Sequence, residues 1–114
     1  MSRTTIWHNP RCSKSRAALA LLQEQGIEPE IVRYLDSPPS IETLQDVLHR
    51  LDMQPSELAR KGEPEWKTLA LDAADEATVL QALASHPRLI ERPVVLHQDK
   101  AALGRPPEKV LEIL

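Results

Sequence analysis

A single cysteine, Cys12, in a chain of 114 residues excludes any intramolecular disulfide. Thiol chemistry on this chain must therefore be completed by a thiol from outside, and a reducing cytoplasm is the compartment such cysteine usage fits. No apolar run approaches the roughly 20 residues of a membrane span, and the N-terminal "MSRTTIWHNP" lacks a signal-peptide core. Excess charge is missing as well. A net charge of -3 and a pI near 5.8 give no drive toward nucleic acid or an anionic membrane. The histidines, His8, His49, His86 and His97, show no zinc-ligand spacing, so no metal is expected.

What is present suits one globular domain spanning residues 1–114. Hydrophobic residues make up 41% and charged residues 27%, enough at this length for a real core without staples. "TTIWH" followed by "NP" predicts a strand over residues 3–7. "SKSRAALALLQEQ" predicts a helix from Ser13 to Gln25, with Gly26 at its C-terminal cap. "PEIVRYL" predicts a second strand over residues 30–35, parallel to the first through the intervening helix. Ser40 then caps "IETLQDVLHRL", in which Ile41, Leu44, Leu48 and Leu51 share one face. "PSELARKG" reads as a short helix closed by Gly62, and "DEATVLQALASHP" as another closed before Pro87. "PVVLHQDKAAL" reads as a β-hairpin, and "GRPPEKVLEIL" as a last helix packing through Val110, Leu111 and Leu114. Trp7 and Trp66 read as core anchors. With a helical insertion at about 40–87, between the second and third strands, the order is an α/β thioredoxin-like plan: a four-stranded mixed sheet flanked by helices.

The basic residues Arg3, Arg11, Lys14 and Arg16 all precede Glu24, the first acid, so Cys12 lies in a stretch without local negative charge. At the edge of a helix beginning at Ser13, its sulfur meets first-turn amides that have no intrahelical partner and the positive end of the helix dipole. That environment favours a thiolate, and the same amides favour an incoming oxyanion. Buried free cysteines are commonly inert packing. Here the polar neighbours and the Asn9-Pro10 turn point instead to an exposed, reactive thiol.

"CSKS" lacks the second thiol of a dithiol exchanger, and Ala18 stands where a tyrosine-phosphatase-type loop needs arginine. His8 either favours the thiolate or serves as a structural histidine at a strand end. Ser15 either donates to the sulfur or is a tolerated helix-start serine, and Arg16 either assists an anion or faces water. A tetrahedral oxyanion over a thiolate needs guanidinium donors, for which Arg60, Arg92 and Arg105 are the distant candidates.

"IWHNPRCSKSR", "LARKGEP", "ERPVV" and "GRPPEKVLEIL" together resemble the glutaredoxin-coupled arsenate reductase family, the ArsC family, and especially its small YfgD-like branch. The resemblance runs over essentially the whole chain in order. It implies Cys12 as nucleophile, His8 as the histidine favouring its thiolate, and Arg60, Arg92 and Arg105 as the oxyanion-binding arginines. It also puts the Arg92-Pro93 bond forward as a cis candidate. The implied substrate is arsenate or a similar tetrahedral oxyanion. No cofactor is bound, glutathione is co-substrate, and glutaredoxin is the protein partner that reduces the resulting adduct. Two departures stand out: the chain ends at "VLEIL" where plasmid-encoded members continue, and Gly104 replaces a bulkier residue. The competing readings are an Spx-like redox-responsive regulator, a glutathione-dependent thiol transferase, and a thioredoxin-fold domain that has lost its chemistry.

Overall fold

Strand β1, Thr4–Trp7, lies where the β-branched run predicts it, in a computed structural model that describes residues 4–114. Arg3, the first residue of the expected strand, falls outside the described residues. The chain forms two compact units, one running up to Ser37 and resuming at Arg92, the other spanning Pro38–Glu91.

In the first unit, helix α1 (Ser13–Glu24) links β1 to β2 (Glu30–Val32), and the two strands pair in parallel with Ile6 opposite Ile31. Strands β3 (Val94–His97) and β4 (Lys100–Leu103) form the expected hairpin, and β3 runs antiparallel to β1 with Val95 opposite Ile6. The sheet order is β2-β1-β3-β4, a thioredoxin-like mixed sheet. Ile6, Ala18, Leu22, Val95 and Val110 form its core, each fully buried. Truncating Leu22 there would cost about 2–5 kcal/mol. Gly26, at φ 76°, closes α1: its N–H donates to Gln23 O and that of Ile27 to Leu22 O, both at 3.0 Å. Those bonds satisfy the last helical carbonyls, and Ile27 packs back on the core.

Strand β2 is three residues shorter than expected, for a register reason. Val32 faces Trp7, the last residue of β1, and beyond it no partner strand continues. The chain turns instead, with Asp36 N–H and Ser37 N–H donating to Arg33 O at 3.0 and 2.9 Å, and Tyr34 becomes buried. The C-terminal segment also differs from expectation. Pro107–Ile113 is a 3-10 helix, whose three-residue turn places Ile113 beneath Val110. Leu111 and Leu114, expected to pack, are exposed.

The second unit contains α2 (Ile41–Leu51), α3 (Pro55–Leu58), α4 (Pro64–Thr68) and α5 (Glu76–Ser85). Ser40 caps α2 by accepting from Thr43 N–H. The buried face of α2 is centred on Leu44, Val47 and Leu48, with Ile41 and Leu51 only half-buried at its margins. Helix α3 stops at Leu58, short of Gly62, because the chain leaves it extended. Ala59 bridges Ile90, Glu91 N–H donates to Leu58 O at 2.8 Å, and Arg60 N–H donates to Leu89 O at 2.7 Å. Helix α4 has no counterpart among the elements expected from sequence. Its Trp66 is half-buried, with Lys61 Nζ 5.9 Å from the ring centroid, so it is no core anchor, whereas Trp7 is buried. Among the described residues no helix is long and apolar enough to cross a membrane.

Candidate active site

The segment after β1 is fixed at both ends. His8 N–H donates to Val32 O at 2.8 Å, which prolongs the β1–β2 pairing by one bond. Asn9 then starts a turn: its carbonyl accepts from Cys12 N–H and its side chain from Arg11 N–H, both at 3.0 Å. The Ser15 hydroxyl, on the first turn of α1, reaches back to accept from Asn9 N–H at 3.0 Å and to bond His8 Nδ1 at 2.6 Å. Arg16 Nη1 donates to Pro10 O at 3.2 Å. Helix, turn and strand end are thereby tied together.

Cys12 is the N-cap of α1, with extended backbone and its carbonyl accepting from Arg16 N–H. The turn does not expose it as expected: the residue is 8% accessible. The N-cap position turns the side chain toward the helix start instead of outward. Burial by itself raises the thiol pKa. The Ser15 backbone N–H, the Arg92 charge, the Lys14 backbone N–H and a hydrogen bond from Arg92 outweigh it and bring the pKa below its ordinary 9.0. A lowered pKa and near-burial coexist because fixed donors stand around the sulfur.

His8 is 7% exposed. Burial, then Arg33 and Arg16, lowers its pKa from 6.5, so the ring is neutral at pH 7. The positive charge felt by Cys12 comes from Arg92, and His8 acts on this loop through Ser15. The Ser15 side chain holds His8 and Asn9, while its backbone N–H is what favours the thiolate. Arg16 braces the turn.

Arg92 precedes β3 through a cis bond to Pro93, as the resemblance put forward, and Arg105-Pro106 is cis as well. Arg105 Nη1 donates to Arg92 O at 3.1 Å, and Gly104 N–H donates to Pro93 O at 2.9 Å. Gly104 admits no side chain, because an added Cβ would lie 2.6 Å from Pro93 Cγ. Cys12, His8, Ser15, Arg16, Arg92 and Arg105 thus belong to one linked set in the first unit. Arg60 belongs to the second unit, where Nη1 pairs with Glu63 at 2.6 Å and Nε approaches Glu91 at 3.8 Å. Sequence reasoning missed Arg33, whose charge bears on His8. The residue pattern puts Arg33 within an extended strand, and only the turn ending β2 brings it to the thiol loop.

The ArsC family model matches residues 7–113, and the chain belongs to the ArsC family. It is 46% identical over 117 residues to a Neisseria meningitidis protein named arsenate reductase, covering 100% of both chains. It is 49% identical to Escherichia coli "Uncharacterized protein YfgD", over 96% of this chain and 94% of that one. The solved arsenate reductase from Vibrio cholerae superposes with a TM-score of 0.91 at 43% identity, covering 97% of each chain.

Proposed function

We propose that the protein is an arsenate reductase that uses Cys12 as its single nucleophile and draws reducing equivalents from glutathione and glutaredoxin. One observation carries this reading: Cys12 stands at the N-cap of α1 with the Arg92 guanidinium beside its sulfur, an arrangement that favours the thiolate. The names of the Neisseria and Vibrio relatives support the oxyanion as arsenate.

The Cys12 thiolate attacks arsenic, an S–As bond forms, and an arsenic-bound oxygen leaves as water. Arg92 and Arg105 offset charge on the remaining oxygens, with Arg60 as third donor on the family pattern. Glutathione then attacks the adduct. Two thiol sulfurs give up one electron each, As(V) becomes As(III), and one disulfide results. Overall, arsenate and two thiols yield arsenite, one disulfide and one water. Glutaredoxin restores the Cys12 thiol, a role made necessary by the lack of a second cysteine. Such chemistry belongs in a reducing cytoplasm.

The test is arsenate-dependent NADPH oxidation coupled through glutathione, glutaredoxin and glutathione reductase. Wild type is expected to turn over and Cys12→Ser to lose at least about a thousand-fold in rate. Folded wild type without turnover, in the presence of active glutaredoxin, would remove the reductase reading.

A further inference from the structure

Beside the thiol loop a cleft of about 310 Å³ lies within the first unit. That volume falls in the range of small-molecule sites, roughly 300–1,000 Å³. His8, Pro10 and Arg11 line one part of it, and Arg33, Leu35 and Asp36 the other. Three charges of this wall are unengaged. Among the described residues neither guanidinium, of Arg11 or Arg33, nor the Asp36 carboxylate makes an ion pair or side-chain hydrogen bond. Arg50, Arg60 and Arg88, by contrast, all face carboxylates. His8 is more than nine-tenths buried, and with Nδ1 held by Ser15 its Nε2 makes no hydrogen bond among the described residues.

Two cations and one anion around an apolar strip do not suit a bare oxyanion, which Asp36 would repel. They suit a ligand that carries both signs. A tripeptide thiol of the glutathione class has two carboxylates for Arg11 and Arg33 and one ammonium for Asp36. Its chain would lie over Pro10 and Leu35, the latter 37% exposed. The loop lining the cleft runs directly into Cys12, so a ligand held there is delivered to the segment that bears the nucleophile.

We propose that this cleft is the binding site for the zwitterionic thiol co-substrate, with Arg11 and Arg33 taking its carboxylates, Asp36 its ammonium and His8 Nε2 a hydrogen bond. The assignment rests on the reading of glutathione as reductant. The probe is S-methylglutathione, which cannot react with Cys12, titrated into the full ¹⁵N-labelled chain. Shifts are expected at residues 8–11 and 33–36. Affinity is expected to fall about ten-fold in Arg33→Ala and in Asp36→Asn, the value of one charge-assisted contact. Both side chains are exposed, so these variants are expected to fold. Phosphate at matched ionic strength should shift the same resonances far less. Absent shifts, shifts elsewhere, or wild-type affinity in both variants would overturn the assignment. Because this measurement needs no arsenate turnover, its failure is separable from that of the reductase reading. Turnover without cleft binding removes the cleft alone, and cleft binding without turnover supports the cleft and removes the reductase.

Discussion

Arg92 and Arg60 carry the same side chain and are held in opposite ways. Arg92 directs its charge at a sulfur, and the neighbouring Arg105 is held by a backbone carbonyl, that of Arg92. Arg60 rests against Glu63 and Glu91, and Glu63 is shared with Arg88 at 3.4 Å. A carbonyl orients a guanidinium without cancelling its charge, whereas a carboxylate does both. In the first unit the Arg92 charge thus bears on the Cys12 sulfur. The second unit neutralises its own, so Arg60 must exchange a carboxylate for any oxyanion it binds.

The sharpest way to break this contrast is Arg92→Lys. It keeps the charge and loses the planar fork, and kcat/KM for arsenate is expected to fall about 10- to 100-fold. The midpoint of Cys12 alkylation against pH should also move up toward 9.0. An unmoved midpoint would take Arg92 off the sulfur. Next in size is a pair of glycines, one from each unit. Gly104→Ala meets the Pro93 ring and should cost about 1–3 kcal/mol in urea unfolding. A Cβ added at Gly62 would meet nothing within 4 Å, and Gly62→Ala should be near neutral. Equal costs would mean that Gly104 is not confined as described.

A smaller effect concerns His8. Its folded pKa is lowered, so the neutral ring contributes stability that is fully present above 6.5 and lost as pH falls toward the folded value. Wild type should lose stability below pH 6.5 relative to His8→Gln, and parallel pH profiles of the two would contradict a buried neutral imidazole. Smallest of all, Glu63→Gln should lower stability by about 1 kcal/mol, since its amide oxygen can still accept from Arg60 and Arg88. Its more telling readout is arsenate KM, expected to fall if Glu63 competes for Arg60.

The sequence made the frame legible because its signals are local. Alternating strands, Gly26 after an Ala/Leu-rich run and Ser40 before an apolar face each encode their element within a few residues. The thiol loop was legible only in part: the Asn9-Pro10 turn and the place of Cys12 at the start of α1 are local signals, whereas the burial of Cys12 and the contacts of Ser15 with His8 and Asn9 and of Arg16 with Pro10 are not. What escaped depends on partners far away in the chain. Strand β2 ends where β1 stops offering carbonyls, which no feature of "EIVRYLD" reveals. Leu111 and Leu114 look like packing residues on a 3.6-residue period, but three residues per turn put Ile113 in their place. Helix α4 buries none of its five residues, so it leaves no hydrophobic period to detect. Arg33 and Asp36 reach the thiol loop only because β2 ends in a turn.

The sheet order also has a temporal consequence. Strand β1 is made first and lies in the interior of the sheet, yet its antiparallel neighbour β3 is made late: Thr4 and His97, whose side chains bond at 2.7 Å, are 93 positions apart. As the chain leaves the ribosome, β1 has β2 on one side and waits with its other edge open while the contiguous stretch 38–91 emerges. Contacts of such long range are slow to form, and an unpaired edge is exposed to misassociation meanwhile. Arg92 and Arg105 follow the stretch 38–91, so the thiol acquires its guanidinium only after that stretch has been made. Nascent chains stalled before Arg92 would carry Cys12 with the Ser15 and Lys14 backbone N–H groups of α1 but without the Arg92 guanidinium.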